Sequence, residues 1–163
     1  MTVWHFVCTG NICRSPFAGA YARLRLGTTC NNLSVASCGT QADHGLEVPA
    51  TALQVAAEFG VDLSTHLAQP FLAATVDLTG LYLCMEEQHV AALLAAVPEL
   101  SGRVELLGSY APPGVLTEPF IADPFGLSSF HYRACYTIIS RAVDGLIAAR
   151  GPGQENSSSP AAR

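Results

Sequence analysis

The sequence predicts an α/β protein: a three-layer, doubly wound fold with a four-stranded parallel sheet and helices on both faces. Three observations predict it. Short apolar runs of strand length alternate with stretches of helical spacing, the pattern a parallel sheet requires. The chain has 163 residues, half of them apolar, enough to bury one full core. The first apolar run ends on Val7-Cys8-Thr9-Gly10-Asn11-Ile12-Cys13-Arg14-Ser15-Pro16, which reads as strand end, tight loop and helix start. Ligands of such folds sit beyond the carboxyl ends of strands, and Cys8 lies at one.

The elements follow in order. Residues 2–7 form a strand, buried on both faces if it lies centrally. Residues 16–26 form a helix, with Phe17, Ala20, Tyr21 and Leu24 at helical spacing and Gly27 as its stop. Ser15 suits the N-cap and Pro16 the first turn. Residues 33–37 alternate as a second strand, broken by Cys38-Gly39-Thr40, and 41–48 form a loop. A helix over 49–59 opens on Pro49 and ends before Gly60. Residues 61–70 are irregular, and a short helical piece covers 71–74. A third strand covers 78–84, a helix covers 86–97 before Pro98, and a fourth strand covers 104–107. Residues 108–127 make a long Pro/Gly-rich loop, a length usually reserved for function. Ser128 or Ser129 caps a last helix running to about residue 150, with Cys135, Ile138, Ile139, Ala142 and Leu146 on one face. Residues 1–150 thus form one domain, and the polar stretch 151–163 reads as a disordered tail.

The loop after the first strand carries the chemistry. Gly10 and Asn11 tolerate left-handed backbone, so successive N–H groups can turn inward. The unpaired N–H groups and positive dipole end of the following helix point the same way. Such a ring holds a tetrahedral oxyanion and favours the thiolate of a cysteine at its centre. Arg14 can grip two phosphate oxygens with parallel hydrogen bonds. A thiolate beneath a captured phosphate is a nucleophile aimed at phosphorus.

Composition excludes several alternatives. Net charge is −5, and the eight basic residues, all arginine, are scattered without the stripe a nucleic acid or acidic membrane would need. No apolar run approaches a membrane span, and residues 1–7 are too short and lightly charged for a signal peptide, so a cytoplasmic location is expected. The six cysteines form no Cys-x2-Cys pair, and no zinc site, metal or cofactor is expected. Reduced thiols are the default.

Phosphoryl transfer to a thiolate also needs an acid for the departing oxygen, then a base for water. His5, in a strand, and His89 and His131, on helices, have no motif around them. Asp123, in Ile121-Ala122-Asp123-Pro124-Phe125 on the long loop, is the better candidate, with Pro124 stiffening its position and Phe125 walling the substrate. The other reading of Asp123 is a turn or cap residue.

The run Phe6 to Pro16 resembles the active-site signature of the low-molecular-weight protein tyrosine phosphatases, and Asp123-Pro124-Phe125 resembles that family's general-acid loop. The resemblance extends from about residue 3 to 149. It implies that Cys8 forms a phospho-cysteine, that Arg14 and the N–H groups of residues 9–15 (Thr9, Gly10, Asn11, Ile12, Cys13, Arg14 and Ser15) bind phosphate, and that Asp123 is general acid and then base. It implies that Ser15 donates to the Cys8 thiolate, and that Asn11 is left-handed and braced by Ser15, Ser37 and His66. It also implies that Cys13 can trap oxidised Cys8 as a disulfide, although Cys13 equally suits a small buried filler. Phosphorylated proteins would be the substrates and inorganic phosphate the product, on a monomer or weak dimer.

The chain departs from the family's pattern at several places. Cys38 stands in Ser37-Cys38-Gly39-Thr40, where many relatives have alanine, and could also reach Cys8. The segment after His66 lacks the usual arginines. Gln41-Ala42-Asp43-His44 has no Trp or Tyr, so His44 or Leu46 must wall the pocket opposite Phe125. Asp123-Pro124-Phe125-Gly126 and Met85-Glu86-Glu87-Gln88-His89 look more like the bacterial branch that includes protein-arginine phosphatases. Those enzymes, however, resemble a loop with threonine where this chain has Ile12. A β-branched hydrocarbon there favours a flat aromatic ring over a guanidinium, so phosphotyrosine is the expected substrate and phosphoarginine the alternative. Thiol-coupled arsenate reduction is a third reading, weakened because only Cys84 of the required redox pair is present and Ala91 stands at the other position. A loop that binds phosphorylated partners without turnover is disfavoured by Cys8, Arg14 and Asp123 together.

Overall fold

The fold is described from a computed structural model, covering residues 1–29 and 32–152. Eight elements alternate along it: β1 (Thr2–Cys8), α1 (Arg14–Leu26), β2 (Leu33–Gly39), α2 (Ala50–Glu58), β3 (Leu81–Cys84), α3 (Glu87–Ala96), β4 (Val104–Leu106) and α4 (Ser129–Arg150). The four strands form one parallel sheet in the order β2-β1-β3-β4. β1 is central, and its β-branched and aromatic residues suit a strand paired on both edges. The chain leaves β1 towards β2 and returns to pair β3 with β1's other edge, so the strand order switches between β1 and β3. A crevice opens at the carboxyl ends of strands at such a switch.

Alternation along the strands divides the core in two. Trp4, Phe6 and Cys8, with Leu81 and Leu83, face α1, α2 and α4. Val7, with Tyr82 and Cys84, faces α3 and the turn after it, at Leu93, Val97 and Leu100. The first layer is tied by aromatic rings: Phe17 of α1 stacks on Tyr136 of α4 at 3.9 Å and meets Phe59, at the end of α2, edge-on at 5.3 Å. Among the described residues no helix is long and apolar enough to cross a membrane.

Several boundaries differ from the sequence expectation, each for a local reason. α1 begins at Arg14 with Cys13 at its N-cap, two residues early, because the Ser15 hydroxyl is engaged inside the loop and does not cap. Leu24 is exposed: the buried face of α1 is Phe17, Ala18 and Ala22. β2 runs through Cys38 and Gly39, which pair with Val7 and Cys8, instead of breaking there. β3 starts at Leu81 because Asp77 caps a turn: its Oδ1 accepts from the Thr79 N–H at 2.8 Å and hydroxyl at 2.7 Å. The short helical piece lies at Ala73–Thr75, β4 ends a residue early, and a 3-10 turn at Leu107–Tyr110 opens the long loop. Of the expected tail, residues 153–163 lie outside the described residues, as does Cys30.

Candidate active site

The segment after β1 is shaped by one left-handed residue. Asn11 has φ of 53°, the single non-glycine residue with positive φ among those described. Gly10 does not share that conformation, contrary to expectation, and a Cβ there would meet only the Ile12 side chain, at 3.5 Å. Asn11 is held because its side chain is fully bonded in a buried setting. Its Nδ2 donates to Ser15 Oγ at 2.8 Å and Ser37 Oγ at 3.0 Å, and its Oδ1 accepts from the Gln69 N–H at 2.8 Å. Its carbonyl contacts His66 Nε2 at 2.9 Å, and burial lowers the His66 pKa, so the neutral ring donates this bond.

Three more carbonyls of this segment are also engaged from outside. Cys8 O accepts from Thr40 N and Thr9 O from Gln41 N, each at 2.9 Å, and Cys13 O accepts from the Tyr136 hydroxyl at 3.0 Å. With carbonyls turned out, N–H groups turn in. Those of Gly10, Ile12 and Cys13 have no partner among the described residues. Gly39 makes this pinning possible, since a Cβ there would lie 2.5 Å from Thr9 O and 2.9 Å from Asn11 N.

Cys8 sits at the floor of this ring. The Asn11 N–H donates to its Sγ at 3.3 Å and Ser15 Oγ lies 3.0 Å away. Because Asn11 Nδ2 donates into Ser15 Oγ, that hydroxyl's own proton is available to Cys8 or to Cys38 O at 3.3 Å. Cys8 Sγ is the nearer acceptor. Burial pushes Cys13 and Cys38 up to about 12 and raises Cys84 and Cys135 as well, so all four stay protonated at neutral pH. Cys38 is level with Val7 and packs with it on the α3 side of the sheet, away from the face Cys8 occupies. It is therefore not placed to pair with Cys8. Cys13 shares the Cys8 side and sits 3.4 Å from the Tyr132 hydroxyl.

Arg14, 1% exposed, closes the loop. Its Nη1 donates to Glu86 Oε1 and to Ile121 O at 2.7 Å, and its Nη2 lies 3.4 Å from Asp123 Oδ2. Burial opposes its charge, but the Glu86 bond and the charges of Asp123 and Cys8 outweigh that and raise its pKa. Among the described residues, Arg14 Nε is the buried side-chain polar atom without a hydrogen-bond partner. A buried unsatisfied N–H is costly and rare. Asp123 is a turn residue in the structure, its Oδ1 accepting from the Phe125 N–H at 3.1 Å, while its Oδ2 faces Arg14. The Ile121 N–H, bonded to Met85 O at 2.9 Å, fastens this loop to the end of β3.

Cys8, Thr9, Gly10, Ile12, Cys13 and Arg14 line a cavity of about 250 Å³, walled by Gln41, Asp43, Leu46, Asp123 and Phe125. His44 does not line it. Leu46 N bonds Asp43 O across a turn whose third residue, Gly45, has φ of 84°, so Asp43 and Leu46 flank the cavity while His44 occupies the tip. Leu46 thus lines the cavity together with Phe125, which is 59% exposed.

Two residues went unassigned in the sequence reading. Glu86 receives Arg14, and His89, 1% exposed, sets Nε2 2.8 Å from Thr9 Oγ1. The signal was the Glu86-x-x-His89 spacing of a capping box, just past a strand of the central pair. Among the described residues no group of three or more His, Cys, Asp or Glu side chains is placed to hold a metal ion.

The brace around Asn11 gives a measurable expectation. Asn11→Ala abandons three buried side-chain bonds and leaves alanine at positive φ, so it is expected to cost about 3–5 kcal/mol in denaturant unfolding. A loss below about 1 kcal/mol would mean the brace does not hold the loop.

Comparison with known proteins gives the chain's relatives. The profile described as "Low molecular weight phosphotyrosine protein phosphatase" matches residues 4–154. The low molecular weight protein-tyrosine-phosphatase Etp of Escherichia coli (strain K12) is 36% identical over 139 residues, 83% of this chain and 86% of that protein. The crystal structure of tyrosine phosphatase AmsI from Erwinia amylovora matches with a TM-score of 0.79 at 31% identity, covering 90% of this chain and 91% of that one. YwlE arginine phosphatase from Geobacillus stearothermophilus matches with a TM-score of 0.78 at 29% identity, covering 90% of each chain.

Proposed function

The chain belongs to the low molecular weight phosphotyrosine protein phosphatase family, and from that premise we propose that it hydrolyses phosphotyrosine in proteins through a phospho-cysteine. The observation that carries this reading is Arg14 Nε. It is a buried guanidinium N–H without a partner, on a side chain that lines the same cavity as Cys8. With Nη1 tethered to Glu86 and Ile121 O, the unpartnered Nε and the Nη2 that lies 3.4 Å from Asp123 Oδ2 form the edge that takes two phosphoryl oxygens in parallel.

In the proposed reaction the Cys8 thiolate attacks phosphorus while the inward N–H groups and Arg14 hold the phosphoryl oxygens. The S–P bond forms as the ester P–O bond breaks, and Asp123 gives its proton to the departing tyrosine oxygen. Asp123, now a carboxylate, takes a proton from water as that water attacks the phospho-cysteine, releasing inorganic phosphate and the thiolate. Ser15 donates to Cys8 as it leaves. The tyrosine ring lies between Ile12 and Leu46 on one side and Phe125 on the other. Free cysteines among the described residues favour a reducing, cytoplasmic setting.

Asp123→Asn tests the acid role. It should lower kcat about 100- to 10,000-fold on phenyl phosphate, whose leaving group needs a proton, and far less on an aryl phosphate with a strongly acidic phenol. Equal losses on both substrates would remove Asp123 from that role.

Phosphoarginine stands as the second reading. The likeness to an arginine phosphatase and the Asp43 carboxylate on the cavity wall, an acceptor for a guanidinium, favour it. Against it stands Ile12, a hydrocarbon lining the same cavity. Wild type and Ile12→Thr are to be compared on phosphotyrosine and phosphoarginine peptides. Wild type should prefer phosphotyrosine and Ile12→Thr should narrow that preference, whereas wild-type preference for phosphoarginine would reverse the assignment. Arsenate reduction gains no support, since Cys84 packs into the α3-side core and not the cavity.

A further inference from the structure

We infer that the capping box of α3 also acts as a clamp on both ends of the phosphate loop, with His89 as its positioning residue. The inference rests on the phosphatase reading of that loop. The loop begins at Thr9 and closes at Arg14, and one helical turn holds both: His89 meets Thr9, and Glu86 meets Arg14. α3 is placed to do so because it starts where β3 ends, beside β1 at the switch in strand order.

Reciprocal capping fixes which ring nitrogen carries the proton. The Glu86 N–H donates to His89 Nδ1 at 3.1 Å, while the Glu86 side chain accepts from the His89 N–H. Nδ1 is therefore unprotonated, and the neutral ring carries its hydrogen on Nε2. That hydrogen is donated to Thr9 Oγ1, 2.8 Å away. Burial lowers the His89 pKa to about 4, so the ring remains in this neutral form at physiological pH. The opposite tautomer would set two N–H groups against each other at Nδ1 and leave Thr9 without its donor.

The Glu86 carboxylate is shared in the same way. It caps His89 N–H and receives Arg14 Nη1, so the turn that seats the imidazole also sets the guanidinium. Thr9 is one bond from the nucleophile's own residue, and Arg14 carries the phosphate grip. A shift of either end alters the distance between sulfur and phosphorus, to which rate is sensitive at the sub-ångström level. His66 and Asn11 brace the middle of the loop, so His89 and Glu86 supply the two anchor points that this brace does not reach.

The test compares Thr9→Val, Thr9→Ser, His89→Ala and the Thr9→Val/His89→Ala double variant on an aryl phosphate. Inhibition by inorganic phosphate and by vanadate, which mimics the five-coordinate transition state, is measured alongside. Thr9→Val should lower kcat about tenfold with KM little changed and weaken vanadate more than phosphate, and Thr9→Ser should restore both. The double variant should lose no more than His89→Ala alone, because the two side chains form one contact. Additive losses, no rescue by serine, or Thr9→Val within about twofold of wild type would overturn the clamp. Nitrogen NMR of the His89 ring gives a readout independent of turnover: the clamp requires the proton on Nε2, and a proton on Nδ1 overturns it. Wild type that hydrolysed no aryl phosphate would strike the phosphatase reading instead, leaving the ring measurement to judge the clamp.

Discussion

Cys8→Ser is expected to lower kcat on an aryl phosphate by at least about 10,000-fold while leaving phosphate binding largely intact. Serine fits the space and keeps an atom that can accept from Asn11 N–H, so the ring should form. What it lacks is an ionised nucleophile. The Asn11 N–H and Ser15 hydroxyl that contact this position do not ionise an alcohol at neutral pH. The first P–O bond cleavage therefore stalls, whichever leaving group is offered. Turnover measures the loss, and the rise in melting temperature with inorganic phosphate measures the surviving site. Activity within about tenfold of wild type would mean another group attacks phosphorus. Cys13 is a poor substitute, since burial pushes its thiol up to about 12.

How much of this was legible in sequence depends on how local each feature is. The loop was legible because its chemistry lies within ten residues: a thiol at a strand end, Asn11 for left-handed backbone, Arg14 at the helix start. The α/β class was legible because periodicity and glycine stops are local as well. The contacts made across the sheet were not. Glu86 and His89 reach the loop only because β3 pairs with β1, and the strand order is set by packing that no short stretch encodes. Ser15 has the chemistry of an N-cap, and local propensity alone predicts that use. Tertiary partners, Asn11 and Cys8, take its hydroxyl instead and move the start of α1. His44 failed for a similar reason, since only the turn geometry around Gly45 decides that Leu46 and not His44 faces the cavity.

Arg14→Lys is expected to lower kcat/KM about a thousandfold, although it keeps the positive charge. Arg14 performs two tasks with different nitrogens: Nη1 is committed to Glu86 and Ile121 O, while the unpartnered Nε and Nη2, the latter 3.4 Å from Asp123 Oδ2, form the edge proposed to take the phosphoryl oxygens. A lysine has a single nitrogen. Held by Glu86 and the carbonyl, it has one remaining hydrogen and no parallel pair to offer; drawn to the phosphate, it leaves the partly buried Glu86 carboxylate without its cation and the Ile121 carbonyl without its donor. Either way one task is lost. The loss should appear in kcat as well as KM, because the equatorial oxygens spread apart in the transition state and match the guanidinium edge best there. Inhibition separates the two cases, with vanadate weakened more than phosphate. Glu86→Gln is the partner measurement. It keeps an acceptor for Nη1 and the free edge of Arg14, so its loss should be well below that of Arg14→Lys. If lysine instead sustains kcat/KM within about tenfold of wild type, charge alone suffices at this position and the paired grip is not what the site uses.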